Sequence, residues 1–166
     1  EHAKAYEPTI IMRGVIDIKK SGKLFTLSTK KDSYKAKKIL FATGSKWKEL
    51  GAKGEEEYKN KGVHYCASCD APLYKGKDTA VVVGGGDSAV KESLLVAEYF
   101  KNVYVLARSK FKPEPINMQR AKSNKKIHLI DGIELAEIRG DQFVTEVELT
   151  KPINNSTTLK TDAVFI

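Results

Sequence analysis

The amino-acid sequence predicts an α/β fold: a parallel sheet with an antiparallel β-meander, preceded by a second β-meander. A continuously apolar run at 79–83 is followed by glycines and then by apolar residues at helical spacing, which predicts a strand, a tight turn and a helix. A second apolar run at 103–107 completes a strand–helix–strand unit with parallel strands. Short β-branched segments between polar turns at 9–41 and 133–166 predict the two meanders.

The first meander is small. Its predicted strands cover 9–19, 24–29 and 34–41. A meander with nothing packed against it is poorly stabilised, so we expect a larger domain to accompany it. Residues 45–48 are the predicted linker to the segment that follows.

The remaining elements follow from local signals. The acidic run at 55–57 predicts the first turn of a short helix. After the second parallel strand, Pro113 and Pro115 interrupt a loop and a short helix, and a third strand is expected at 127–130. The last strand of the second meander is expected to cover 158–166.

Composition excludes several classes of protein. The chain has 166 residues, of which 41% are hydrophobic and 30% charged, a globular rather than a disordered composition. No apolar run approaches the ~20 residues that span a bilayer, and no secretory signal is apparent, so we expect a soluble, cytoplasmic protein with no membrane partner. The net charge is +8, but basic residues alternate with acids, so we expect no nucleic-acid partner.

The glycines match a nucleotide-binding fingerprint. Gly84-x-Gly86-x-x-Ala89 fits the pattern G-x-G-x-x-G/A and lies between a predicted strand and a predicted helix, the context that the fingerprint requires. Gly84 is expected to make the turn, Gly86 to allow close approach of a pyrophosphate, and Ala89 to pack the helix on the strand. The sequence therefore predicts a Rossmann-like domain. The predicted cofactor-binding residues of this turn are Gly84, Gly85, Gly86, Asp87, Ser88 and Ala89, with Asp87 or Ser88 capping the helix.

The end of the second parallel strand indicates which nucleotide is bound. An acid at this place favours NAD, whereas an arginine accommodates the 2′-phosphate of NADP. Arg108 occupies the place, Lys110 and Lys112 follow, and no acid competes. We therefore expect NADP, with Arg108 and Lys112 as binding residues.

The chain's two cysteines, Cys66 and Cys69, have the spacing of a redox disulfide, of half a zinc site, or of inert core residues. Zinc requires four ligands and no second cysteine pair exists; only His64, with Asp70 or His128, could complete the set. We favour the redox interpretation, with no metal. Asp70 is a candidate general acid/base for thiol exchange, whereas His64 is interpreted as a loop histidine near the surface.

The sequence Cys66-Ala67-Ser68-Cys69-Asp70, followed by the glycine turn, resembles the NADPH domain of the low-molecular-weight thioredoxin reductases. The resemblance covers nearly the whole chain. It implies that 1–45 form the C-terminal part of a first FAD-domain segment, 46–161 the NADPH-binding domain, and 162–166 a strand that returns toward the FAD domain.

The resemblance also implies a mechanism. Electrons pass from NADPH to FAD, then to the disulfide of Cys66 and Cys69, and finally to thioredoxin or a similar small disulfide protein. Cys69 lies against the flavin, Cys66 attacks the partner disulfide, and Asp70 handles the proton. The cofactor-binding residues that it adds are Ala42, Thr43 and Gly44, which approach the flavin nucleotide.

The chain departs from the family in two respects. Ser109 replaces a second arginine, and Lys112 stands in place of a distal one. No second glycine fingerprint precedes Ala42, so we expect a piece of a chain about twice as long. The resemblance implies that the full-length protein is a homodimer. Two alternatives stay open: a reductase of another carrier, such as a peroxiredoxin-linked protein, and a non-catalytic nucleotide- or zinc-binding module.

Overall fold

The computed structural model describes residues 5–44 and 46–166. The chain divides into two compact units, Glu1–Lys46 and Trp47–Ile166. Among the described residues, no helix is both long and apolar enough to cross a bilayer.

The first unit contains an antiparallel sheet of three strands in the order β1-β2-β3. The strands are β1 Val15–Ser21, β2 Leu24–Thr29 and β3 Ser33–Ala36. The predicted third strand, 34–41, ends early because Ala36 already pairs with Phe25, the second residue of β2. Only Leu24 of β2 lies beyond that pair, and Leu40 and Phe41 are exposed.

The second unit is built on a parallel sheet of five strands in the order β4-β11-β5-β6-β7. Its strands are β4 Val63–His64, β5 Lys77–Val83, β6 Phe100–Ala107, β7 Ile127–Asp131 and β11 Ala163–Phe165. The predicted strand–helix–strand unit is thus present, and β7 extends it as expected. The α/β fold class predicted from the sequence is confirmed.

Three α-helices and one 3-10 helix connect these strands. They are α1 Ala67–Asp70, the 3-10 helix Ala71–Tyr74, α2 Asp87–Val96 and α3 Pro115–Ser123. The predicted cap of α2 is wrong, because Gly86 occupies the N-cap position and no side chain caps the helix. The helix predicted to begin at 55–57 is also absent; that segment forms turns, and the carboxylate of Glu55 bonds backbone amides that precede it.

An antiparallel sheet in the order β10-β9-β8 completes the second unit. Its strands are β8 Leu135–Gly140, β9 Val144–Ile153 and β10 Ser156–Lys160. The predicted strand at 158–166 is divided between β10 and β11, which belong to different sheets. Asp162 causes the break: its carboxylate accepts hydrogen bonds from the amides of Asp78 and Thr79, both 3.1 Å long, and this turns the chain toward β5.

Alternating side chains of the parallel sheet form two cores. Ala80 and Val82 of β5 pack in one core with Val90 and Val96 of α2, whereas Val81 packs in the other. That second core is completed by apolar residues of β8 and β9: Leu135, Ile138, Val144, Val147 and Leu149. The unit therefore has three layers, with helices on one face of the parallel sheet and the antiparallel sheet on the other.

Candidate functional site

The predicted site residues of the second unit follow strands that end at one edge of the parallel sheet. Cys66 follows β4, Gly84 follows β5 and Arg108 follows β6. Because these strands are parallel, their carboxyl ends meet at the same edge, which is where α/β sheets bind ligands. Only β11 separates β4 from β5, so the cysteine strand and the glycine strand are about 10 Å apart, or two strand spacings.

The cysteine pair forms a small loop at the start of α1. A disulfide joins Cys66 to Cys69, with Cα atoms 5.3 Å apart, so the bond that the spacing allows is present. The amides of Cys69 and Asp70 both donate to the Cys66 carbonyl at 3.1 Å. Cys69 is exposed, Cys66 is half-buried, and the Ser68 hydroxyl lies 3.4 Å from the Cys66 sulfur. Both sulfurs lie near the surface of the second unit, as exchange with another disulfide requires.

His64 lies directly behind this loop, and its interpretation as a surface histidine is wrong. It is only 6% exposed, because β4 pairs with β11 at Phe165 and the two rings pack 5.6 Å apart. Its Nε2 lies 2.8 Å from the Tyr74 hydroxyl, and its Nδ1 lies 3.3 Å from Oδ2 of Asp70. No local pattern signals this burial, since the covering residue lies about 100 residues further along the chain.

Sequence reasoning also missed Glu55. Its carboxylate is 5% exposed and accepts bonds from the amides of Leu50 and Gly51, 3.0 and 2.6 Å long, and from the hydroxyl of Tyr65, 2.7 Å long. Burial alone would raise the pKa of Glu55, but these hydrogen bonds outweigh it and hold the pKa below its ordinary value. Glu55 thereby fastens the segment 50–51 to the residue that precedes Cys66.

The glycine turn has the geometry that its fingerprint predicts. Gly84 has φ +147°, and a Cβ at this position would lie 2.8 Å from the Cβ of Ala89. The turn thus requires glycine, and Ala89 packs closely against it. A Cβ on Gly86, in contrast, would meet nothing within 4 Å, which leaves open space at the N-terminus of α2. Since no side chain of the described residues caps α2, its first amides can receive an anion.

Asp87 and Ser88, the next two residues, begin α2 and differ in their contacts. The Asp87 carboxylate accepts bonds from the Asn117 side chain at 2.7 Å and from the Glu114 amide at 2.9 Å, and Lys91 pairs with it at 2.7 Å. The contact with Lys91 is the largest of the effects that lower the pKa of Asp87 to about 2, and these two hydrogen bonds add to it. Asp87 therefore joins α2 to α3, while Ser88 is exposed.

A cleft of about 680 Å³ lies in front of the glycine turn. Glycines 84–86 form part of its lining, together with 48–52 and 133–136. Arg108 and Lys112 also line it, and neither forms an ion pair among the residues that the structure describes. Lys110 lines it too but pairs with Asp131 at 2.9 Å. The cleft therefore combines glycine backbone, a helix N-terminus and cations, Arg108 and Lys112 among them, that have no carboxylate partner within the described part of the chain.

The residues assigned to a flavin nucleotide belong to the first unit. Ala42, Thr43 and Gly44 are exposed and lie outside its strands. A Cβ on Gly44, which has φ +75°, would meet nothing within 4 Å. Their role in binding FAD stays a prediction, as do the functional boundaries at 45 and 161; residues 163–165 form β11 within the parallel sheet.

Comparison with known proteins agrees with this arrangement. The family described as pyridine nucleotide-disulphide oxidoreductase matches residues 1–166. The chain belongs to this family. Within it, the thioredoxin reductase of Helicobacter pylori is 41% identical over 138 residues, which cover 82% of this chain and 43% of that protein. The thioredoxin reductase of Listeria innocua is 40% identical over 156 residues, covering 90% and 49%.

Solved structures that resemble the chain are also thioredoxin reductases. The thioredoxin reductase from Giardia duodenalis superposes with a TM-score of 0.79 at 32% identity, over 93% of this chain and 52% of that one. The resemblance to thioredoxin reductases is therefore confirmed. The chain spans about half the length of the curated relatives it matches.

Proposed function

We propose that this chain is the nucleotide- and dithiol-carrying part of an NADPH-dependent disulfide reductase of the thioredoxin reductase type. The observation that carries the proposal is the shared sheet edge: the disulfide of Cys66 and Cys69 follows β4, and the glycine turn follows β5. Substrates in α/β sheets bind at this edge, so a nucleotide and a redox disulfide here serve one reaction.

The nucleotide half of the proposal rests on the lining of the cleft. The pyrophosphate would lie over Gly86 and the first amides of α2, because a close approach needs the missing Cβ and the helix terminus favours anions. Arg108 and Lys112 would hold the 2′-phosphate of NADPH, since both line the cleft without a carboxylate partner among the described residues.

The disulfide half is a two-electron exchange. The Cys66 thiolate attacks a sulfur of the partner disulfide, the partner's S–S bond breaks, and the departing sulfur takes a proton from Asp70. Cys69 then gives its proton to the Asp70 carboxylate and attacks the Cys66 sulfur. The Cys66–Cys69 bond forms again, and the released partner thiolate takes a proton from solvent. The dithiol is oxidised and the partner disulfide is reduced.

The flavin is the remaining component. FAD, when bound, accepts the hydride of NADPH and reduces the Cys66–Cys69 disulfide. Ala42, Thr43 and Gly44 would approach its nucleotide portion, a role that rests on the resemblance and on the open backbone at Gly44. Thioredoxin as the partner, a homodimeric full-length protein and a cytoplasmic location belong to the same proposal.

The exchange step is testable without flavin. The chain is reduced with dithiothreitol, freed of reductant and mixed with oxidised thioredoxin; in a parallel reaction the carrier is an oxidised peroxiredoxin. We expect rapid formation of thioredoxin dithiol and slow reaction of the peroxiredoxin. Faster reduction of the peroxiredoxin would favour the alternative carrier, and no reduction of either would contradict the proposal.

Two single-cysteine variants test the division of labour between the sulfurs. Cys69→Ser keeps the proposed attacking thiol, whereas Cys66→Ser keeps only the other one. Each is mixed with thioredoxin carrying thionitrobenzoate on its active cysteine, and release of the coloured thiol is followed. We expect Cys69→Ser to react faster. A faster Cys66→Ser variant would reverse the assignment.

A further inference from the structure

Three polar side chains form a row behind the disulfide loop. Tyr74 ends the 3-10 helix, His64 ends β4, and Asp70 ends α1. The Tyr74 hydroxyl lies 2.8 Å from Nε2 of His64, and Nδ1 of His64 lies 3.3 Å from Oδ2 of Asp70. Asp70 directly follows Cys69, so the row ends beside the disulfide.

The surroundings fix the direction of the hydrogen bonds in this row. Burial lowers the pKa of His64 below its ordinary value, although the Asp70 carboxylate acts in the opposite direction. Burial likewise raises the pKa of Tyr74, with Asp70 and Asp162 adding to the effect. A neutral imidazole has one donor and one acceptor. The Tyr74 hydroxyl therefore donates to Nε2, and Nδ1 carries the proton that faces Asp70.

Packing holds the imidazole in place. The His64 ring contacts Tyr74 edge-on, with centroids 5.4 Å apart, and Phe165 at 5.6 Å. Tyr74 in turn stacks on Phe100 at 5.5 Å. A side chain fixed on two sides by rings and at Nε2 by a hydroxyl loses little further entropy when it orients a neighbour.

Among the described residues, neither Nδ1 of His64 nor the Asp70 carboxylate has a competing partner. Nδ1 of His64 is buried and makes no hydrogen bond of good geometry in the oxidised structure. No lysine or arginine within the described part of the chain pairs with Asp70, and His64 is the basic group that faces it. A buried N–H without a partner is costly, so the N–H of His64 favours any position of Asp70 that accepts it.

We propose that His64 is a positioning residue for Asp70 during thiol–disulfide exchange. The proposal rests on the proposed function, because it requires Asp70 to donate a proton to the departing sulfur. His64 holds one carboxyl oxygen of Asp70 through Nδ1–H, which keeps the carboxyl group beside Cys69. Tyr74 keeps the proton on Nδ1 by occupying Nε2. His64 itself neither gains nor loses a proton in the step.

The test compares two reactions of the chemically reduced full chain. Reduction of oxidised thioredoxin needs a proton for the departing sulfur, whereas alkylation of the same thiols by iodoacetamide releases iodide and needs none. We expect Asp70→Asn to slow thioredoxin reduction about 100-fold, the lower end for loss of a general acid. His64→Leu should slow it about tenfold, as loss of a supporting group behind a functional residue does. Neither variant should change the alkylation rate by more than about twofold.

Further variants separate positioning from a general structural effect. His64→Asn keeps an N–H donor near the place of Nδ1 and should recover most of the rate. The double variant His64→Leu/Asp70→Asn should be no slower than Asp70→Asn, because His64 acts through Asp70. His128→Leu is the matched control: it removes a half-buried imidazole that stacks on Tyr104 at 4.7 Å, and it should leave both reactions unchanged.

Each outcome has a defined meaning. Slow exchange with normal alkylation in His64→Leu, rescue by His64→Asn and no further loss in the double variant support the inference. If His64→Leu exchanges at the normal rate while Asp70→Asn is slow, the inference fails and the proposed function stands. If alkylation falls in parallel with exchange, or the double variant is slower than either single one, His64 acts only structurally. If the unaltered dithiol does not reduce thioredoxin, the proposed function itself fails.

Discussion

Replacement of Gly84 by alanine tests the glycine turn most directly. Gly84 has φ +147°, a conformation that residues with a Cβ rarely adopt. The added Cβ would also lie 2.8 Å from the Cβ of Ala89, far inside the ordinary carbon–carbon contact distance of about 3.5–4.0 Å. The neighbour belongs to a packed helix, so the new methyl group has no space into which it can move.

The backbone strain and the close contact together set the size of the loss in stability. A residue held in a sparsely populated backbone region costs about 1–3 kcal/mol, and an additional methyl group in a packed site costs about 1–3 kcal/mol. If the two add, Gly84→Ala lowers the free energy of unfolding of the second unit by about 2–6 kcal/mol. This is a large part of the stability of an ordinary domain.

Gly86→Ala is the matched control, two residues along the same turn. Gly86 has φ −92°, and its Cβ would meet no atom within 4 Å. We expect a loss of less than about 1 kcal/mol, the usual preference for glycine over alanine at an N-cap. Nucleotide affinity should respond in a different way, because the methyl group fills the space proposed for the pyrophosphate. Overpacking of about 1–3 kcal/mol weakens NADPH binding about 5- to 150-fold.

Stability is measured by native-state amide exchange of the β5 peptide, which reports opening of the second unit alone, and nucleotide affinity by calorimetric titration with NADPH. The reasoning is refuted if Gly84→Ala leaves the exchange of β5 unchanged. It is equally refuted if Gly86→Ala destabilises the unit as strongly as Gly84→Ala and yet binds NADPH normally.

Three further predictions concern charged groups. Glu55→Gln removes the carboxylate that accepts three hydrogen bonds and should lower the unfolding free energy by about 1–3 kcal/mol; urea unfolding checks this. The pKa of His64 in the folded protein lies below its ordinary value of 6.5. At pH values between the two, the unfolded chain therefore binds more protons than the folded one. Stability should therefore fall as pH drops below 6.5, by at most about 1.4 kcal/mol per pH unit for one proton, and His64→Leu should remove this dependence. Arg108→Gln should weaken NADPH binding about tenfold without affecting the binding of NADH. Lys110→Gln should change neither affinity much, because Lys110 already pairs with Asp131. Equal loss of affinity for both nucleotides in Arg108→Gln would exclude recognition of the 2′-phosphate by Arg108.

The strand–turn–helix region was predictable because its information is local. The run at 80–83 is apolar on both faces, as is typical of a central parallel strand. Gly84 and Ala89 are five residues apart, so their packing depends on one turn of backbone. The disulfide of Cys66 and Cys69 is likewise a property of four adjacent residues. Such features can be predicted from composition and spacing, because the contacts that form them lie within a few residues of one another.

The features that prediction missed depend on residues distant in sequence. His64 is buried by Phe165, and Asp87 bonds Asn117 of another helix rather than its own helix terminus. The acidic run containing Glu55 has the composition of a helix start, but tertiary hydrogen bonds determine its conformation. Thr161 and Asp162 interrupt an apparently continuous strand because they bond the start of β5. No local pattern contains these partners.

The position of β11 has a consequence for the order of folding. It lies between the cysteine strand and the glycine strand, yet it pairs with β4 across a sequence separation of about 100 residues. Among the parallel strands, β4 borders only β11, so it cannot join the sheet before β11 has docked on β5. During synthesis β4 emerges before β5, β6 and β7, but its partner β11 emerges after them. The cysteine strand is therefore the last of these strands to be incorporated into the sheet. The environment of the dithiol is therefore completed only after the nucleotide-binding framework has formed.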